Sequence, residues 1–127
     1  MFTIKNFAKR PLPRIPFRSI KEKILGKRYE LSVVFVGEPQ MKKLNKLYRK
    51  KDKVTNILSF PLSDMEGEIF INMKKIHEEA VREEKSIKSH LAYIFIHGLL
   101  HLKGHGHGST MENEEKRVLS FFGFIKN

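Results

Sequence analysis

Apolar and polar positions along the chain alternate in two rhythms, and the switches between them mark the elements. Residues 1–6 alternate loosely and predict a short strand; Pro11, Pro13 and Pro16 then hold an extended, basic connector. A helix follows from about Phe17 to Leu25 and ends at Gly26. Tyr29–Val36 is rich in β-branched and aromatic residues and reads as a strand. Glu38-Pro39 opens a second helix running to about Arg49, with Met41, Leu44, Leu47 and Tyr48 as its apolar stripe. Thr55–Phe60 is a third strand closed by Pro61, residues 63–67 are turn chemistry, and Glu68–Asn72 is a fourth strand.

The second half is helical. Met73 to about Glu84 is amphipathic, with Lys74, Glu78, Glu79, Arg82 and Glu83 as a solvated face and His77 in a surface or half-buried structural place. From Leu91 to Leu102 the chain is apolar nearly all round, the mark of a central buried helix. Ser109-Thr110-Met111-Glu112 has the spacing of a capping box and opens a last helix towards Ile125, docked by Val118, Leu119, Phe121, Phe122 and Ile125. These elements predict one α+β domain over residues 1–127: a small mixed four-stranded sheet packed with about five helices around a central buried helix that binds metal.

That helix carries the chemistry. Four of the six histidines, His97, His101, His105 and His107, fall within eleven residues. His97 and His101 are spaced i, i+4, so their imidazoles share one helix face. Gly104, Gly106 and Gly108 break the helix beyond them and let a third imidazole, from His105 or His107, reach the same point. Two ligands on a helix and a third after a turn can hold a divalent metal and leave a coordination position open. His90, seven residues before His97, reads as exposed or capping. Gly98 stands where a His-Glu-x-x-His peptidase has its catalytic glutamate, which speaks against a metallopeptidase; a residue without a side chain there lets another segment approach closely.

Composition narrows the partners. Lysine and arginine number 25 against 14 acids, a formal charge of +11, which favours a polyanion. There is no cysteine, so disulfides and thiolate metal sites are excluded. No apolar run approaches the ~20 residues that span a bilayer and no signal-peptide core stands near the start, so no membrane partner and a cytoplasmic location are the expectations. The oligomeric state is not legible in the sequence, and a monomer is assumed.

The stretch His-Gly-x-Leu-His-Leu-x-Gly followed by His107 resembles the signature of the YbeY family, bacterial metal-dependent endoribonucleases acting in rRNA maturation. The run from Leu44 through Tyr48-Arg49-Lys50-Lys51 to Thr55-Asn56-Ile57-Leu58-Ser59-Phe60-Pro61 is similar to the family's other signature block, and Gly67-Glu68-Ile69 to its Gly-Asp-Ile strand start. The chain departs from the pattern at Gly104-His105-Gly106-His107, where the family reads Gly-Tyr-Asp-His, at Val54, where it has proline, and at Asn56, where it has aspartate. The resemblance implies a zinc-dependent, single-strand-selective endoribonuclease in 16S rRNA 3′ end processing and ribosome quality control, with RNA and the ribosome as partners. It further implies that His97, His101 and His107 hold the zinc, with His105 as an additional candidate ligand; nickel or another divalent ion suits the same nitrogen donors. Arg49 is the implied catalytic residue, because guanidinium binds phosphate bidentately. Ser59, Lys50 and Lys51 are candidate substrate-binding residues, Glu68 a candidate for proton transfer, and Tyr48 is expected in the core rather than stacked on a base. A non-catalytic RNA- or ribosome-binding factor with a structural metal is the alternative.

Overall fold

Alternation decides the sheet. In the computed structural model, which describes residues 1–49, 55–106 and 108–125, the order of elements is β1 (Phe2–Asn6), α1 (Phe17–Leu25), β2 (Glu30–Val36), α2 (Glu38–Arg49), β3 (Ile57–Ser63), β4 (Glu66–Asn72), α3 (Met73–Arg82), α4 (Ile87–Leu102) and α5 (Ser109–Phe121). The strands form one mixed sheet in the order β1-β2-β4-β3; β1, β2 and β4 are parallel and β3 is antiparallel to β4. Register pairs Val33 with Ile69, Phe35 with Ile71, and Ile57 and Ser59 with Ile71 and Ile69. Because side chains alternate across a strand, these residues share one face. The expected α+β fold with five helices around a four-stranded mixed sheet is what forms.

That face is packed against α1 and α4. Phe17 of α1 meets Phe35 and Phe95 edge-on, with ring centroids 5.9 and 5.2 Å away. Leu91, Ala92, Phe95, Ile96 and Leu99 of α4 are all fully buried, which answers the nearly continuous apolar run. α4 starts at Ile87, four residues earlier than the apolar run, because Ser86 caps it and accepts a bond from the Ser89 N–H at 3.0 Å. Gly67 of β4 sits beneath the Tyr29 hydroxyl and the Leu102 side chain, where a Cβ would collide with both. The opposite face carries Val34, Leu58, Phe60 and Phe70, on which Met41 and Leu44 of α2 pack.

Several local expectations are corrected. Pro61 does not close β3; it lies within the strand opposite Gly67, and the strand runs on to Ser63 across a register shift. β3 is an edge strand, where a missing N–H need not cost a ladder bond. The turn shrinks accordingly, and β4 starts at Glu66. Ser109 is not an N-cap: Gly108 holds that position, without a side-chain cap, and Ser109 is already helical. α5 ends at Phe121, which is 64% exposed, with the Lys23 ammonium 4.1 Å over its ring. Leu47 and Tyr48 are exposed as well: Met41 and Leu44 are the members of the α2 stripe that enter the packed cluster, while the Tyr48 ring rests on Phe60 with most of its surface in solvent. No helix among the described residues is long and apolar enough to cross a membrane.

Candidate active site

His97 and His101 stand on the face of α4 that looks past β3, and each ring is held at its Nδ1 atom. His101 Nδ1 lies 3.1 Å from the His105 carbonyl oxygen, which can only accept, so this nitrogen carries the proton. His97 Nδ1 lies 2.5 Å from Oε1 of Glu115, a carboxylate only 6% exposed on α5, and donates to it in the same way. With both protons on Nδ1, the two Nε2 lone pairs converge, 3.1 Å apart, with the ring planes nearly perpendicular. Two nitrogens about 2.0–2.1 Å from one tetrahedral ion would lie about 3.3 Å apart. The pair therefore fits two ligands of a single cation, and a carboxylate or carbonyl behind each imidazole is the usual support of such a ligand.

The pair looks into a cleft of about 470 Å³ between α4 and β3, lined by Thr55–Phe60, Tyr93, Ile94, His97 and His101. Gly98 is what allows the two elements to close on each other. A Cβ there would stand 2.5 Å from Ile57 Cδ1 and 3.0 Å from Ser59 Oγ, and the Ser59 hydroxyl donates to the Gly98 carbonyl at 3.2 Å. Glutamate at this position has no room, which answers the close approach expected of this glycine. Tyr93 brings a phenol to the cleft; burial, and then the charges of Glu115, Glu83 and Glu112, push its pKa up, so it stays a hydrogen-bond donor.

A second polar cluster backs the cleft wall. The Asn56 amide donates to both oxygens of Glu79, at 3.0 and 3.4 Å, and His90 Nε2 meets the same carboxylate at 2.9 Å. Burial alone would push the Glu79 carboxyl up, but the bonds from Asn56 and His90 outweigh it and hold the pKa below the usual value. His90 is thus 2% exposed and paired, not solvent-facing or capping, and Glu79 leaves the solvated face assigned to it. The rings of His90, Tyr93, His97 and His101 follow one another down a single face of α4.

His105 offers its carbonyl to His101, while its imidazole bears electrostatically on Glu114; among the described residues, no group of three His, Cys, Asp or Glu side chains could hold an ion. His107, Lys50 and Lys51 lie outside the described residues, as does the side chain of Arg49, the last residue of α2. Ser59 lines the cleft with its proton committed to α4. Glu68 follows the alternation of β4 onto the face opposite the histidines, away from any proton transfer there. His77 is half-buried on α3, as expected. The sequence reading missed Glu115, although a signal was present. Met111, Glu115 and Val118 share the buried stripe of α5, and a carboxylate at such a position needs a partner.

Comparison with known proteins assigns the family. The family model described as Endoribonuclease YbeY matches residues 6–122. Endoribonuclease YbeY of Finegoldia magna is 39% identical over 111 residues, covering 78% of this chain and 72% of that protein. Endoribonuclease YbeY of Buchnera aphidicola is 37% identical over 128 residues, covering 89% and 83%. In three dimensions the chain is similar to the solution structure of TM1509 from Thermotoga maritima, with a TM-score of 0.68 and 26% identity over 94% of this chain and 87% of that one. A match spanning almost the whole fold, including both walls of the histidine cleft, places this chain in the endoribonuclease YbeY family.

Proposed function

We propose that this chain is a zinc-dependent endoribonuclease that hydrolyses phosphodiester bonds of single-stranded rRNA in the cytoplasm, in 16S rRNA 3′ end maturation and ribosome quality control. The observation that carries the reading is the convergence of the His97 and His101 Nε2 atoms, 3.1 Å apart in the cleft, with both Nδ1 atoms already committed. His97, His101 and His107 are the proposed ligands of the ion. A divalent cation held by neutral imidazoles, when bound, supplies a Lewis acid for a phosphoryl oxygen and acidifies water to near neutrality.

The chain's own groups supply the rest. Glu115 and the His105 carbonyl keep the two imidazoles in the tautomer that presents Nε2. Arg49 binds the non-bridging phosphoryl oxygens and meets the charge that grows on them during in-line attack. Tyr93, kept protonated, donates a hydrogen bond within the cleft. Lys50 and Lys51 track the flanking phosphates.

The test is cleavage of an rRNA fragment by the purified protein. Activity is expected to disappear with a chelator, to return with added zinc, and to be absent from His97→Ala and His101→Ala. Cleavage unchanged in those variants would sink the mechanism. A chelator that lowers the melting temperature of a protein inactive throughout would point to a structural metal in a binding factor.

A further inference from the structure

The Tyr48 ring is the feature of α2 that packing does not explain. It is 62% exposed, yet it is not loose: it rests on Phe60 with ring centroids 5.1 Å apart, and Phe60 is braced in turn by Phe70 at 5.8 Å. Phe60 belongs to the β3 stretch that walls the histidine cleft, so Tyr48 is seated at the edge of the candidate active site. The helix that presents Tyr48 carries exposed Lys42, Lys43 and Lys46. An apolar peptide would use the ring but not the charges. A nucleic-acid strand uses both, since every base has a π-face and every nucleotide a phosphate.

We propose that Tyr48, seated on Phe60 beside the cleft, is a stacking platform for an unpaired base of the RNA strand whose phosphate lies at the histidines. The proposal rests on the endoribonuclease reading above and adds a source of strand selectivity to it. A base paired in a duplex has its faces covered by its neighbours and cannot reach an exposed ring without being flipped out. Stacking reads no base edge, so the platform selects for single-strandedness rather than sequence. The ring is preordered by Phe60 and Phe70, and little side-chain freedom is lost when a base settles on it.

The experiment is a titration of a single-stranded oligoribonucleotide carrying 2-aminopurine, with chelator present so that no turnover occurs, followed by steady-state cleavage with zinc restored. Stacking is expected to quench the probe, and Tyr48→Ala to weaken single-strand binding about 5- to 150-fold. Duplex binding should be unchanged, and Tyr48→Phe should behave as wild type because only the ring is used. An oligonucleotide with an abasic site in place of the stacked base should bind wild type and Tyr48→Ala alike. In cleavage, Tyr48→Ala should raise KM and leave kcat in place. Tyr48→Ala that binds the single strand as tightly as wild type, or loses duplex binding in equal measure, overturns the platform, as does Tyr48→Phe failing like alanine. The two readings fail separately. Quenching that depends on Tyr48 without any cleavage keeps the platform and removes the nuclease, whereas cleavage indifferent to Tyr48 does the reverse.

Discussion

Single side chains in this protein act through what stands behind them. His97 is oriented by Glu115, whose carboxylate is almost wholly buried against it. Glu115→Gln keeps the volume but replaces the carboxylate that accepts from His97 Nδ1 with a neutral amide. Zinc affinity is expected to fall about 10- to 100-fold, measured by calorimetric titration against a competing chelator. Asn56 stands in the same relation to Glu79. The Glu79 carboxyl has its pKa held below the usual 4.5, so its contribution to stability is complete above that pH and is lost as pH falls through the lower folded value. Asn56→Asp puts a second carboxyl where the amide donates at 3.0 Å. Two carboxyls in contact share one proton, which raises one folded pKa and turns the sign around: stability is then present at acid pH and lost as pH rises. Melting temperatures of the two proteins recorded from about pH 3 to pH 8 should therefore diverge upward through the acid range, with the variant the less stable at neutrality.

At the scale of elements, the cleft exists because β3 can lie against α4 at a residue with no side chain. Alanine at position 98 would gain up to about 1 kcal/mol of helix propensity and obscure the steric cost. Valine does not escape it, because its methyl groups extend from a Cβ already 2.5 Å from Ile57 Cδ1 and 3.0 Å from Ser59 Oγ. Gly98→Val is expected to destabilise the protein by about 1–3 kcal/mol in chemical denaturation. Most elements were legible in the chain: the bounds of α1 and α2 agree with their periodicity, and those of β2 and β4 fall within two residues. The misses are at element ends, and each has a cause outside the local pattern. Pro61 is tolerated because β3 is an edge. The α5 capping box fails because Gly108, not Ser109, takes the cap.

For the whole molecule, the excess of eleven positive charges predicts how RNA binding responds to salt. Each phosphate neutralised on a single strand contributes a slope of about −0.7 to log K against log salt, so three or more contacts give about −2 or steeper. A flat salt dependence in filter-binding or anisotropy titrations would rule out backbone contacts as the main source of affinity. The sequence alone was sufficient for the α+β class, the buried helix, the face shared by His97 and His101 and the need for a small residue at 98. All of these follow from spacings of a few residues, where helix and strand geometry leave little choice. It could not supply Glu115 as the partner of His97, the Asn56–Glu79–His90 cluster, or the exposure of Tyr48. Those depend on contacts between residues 18, 23, 11 and 12 positions apart. Local periodicity says which face of an element is buried; the packing of the elements decides which side chains meet there.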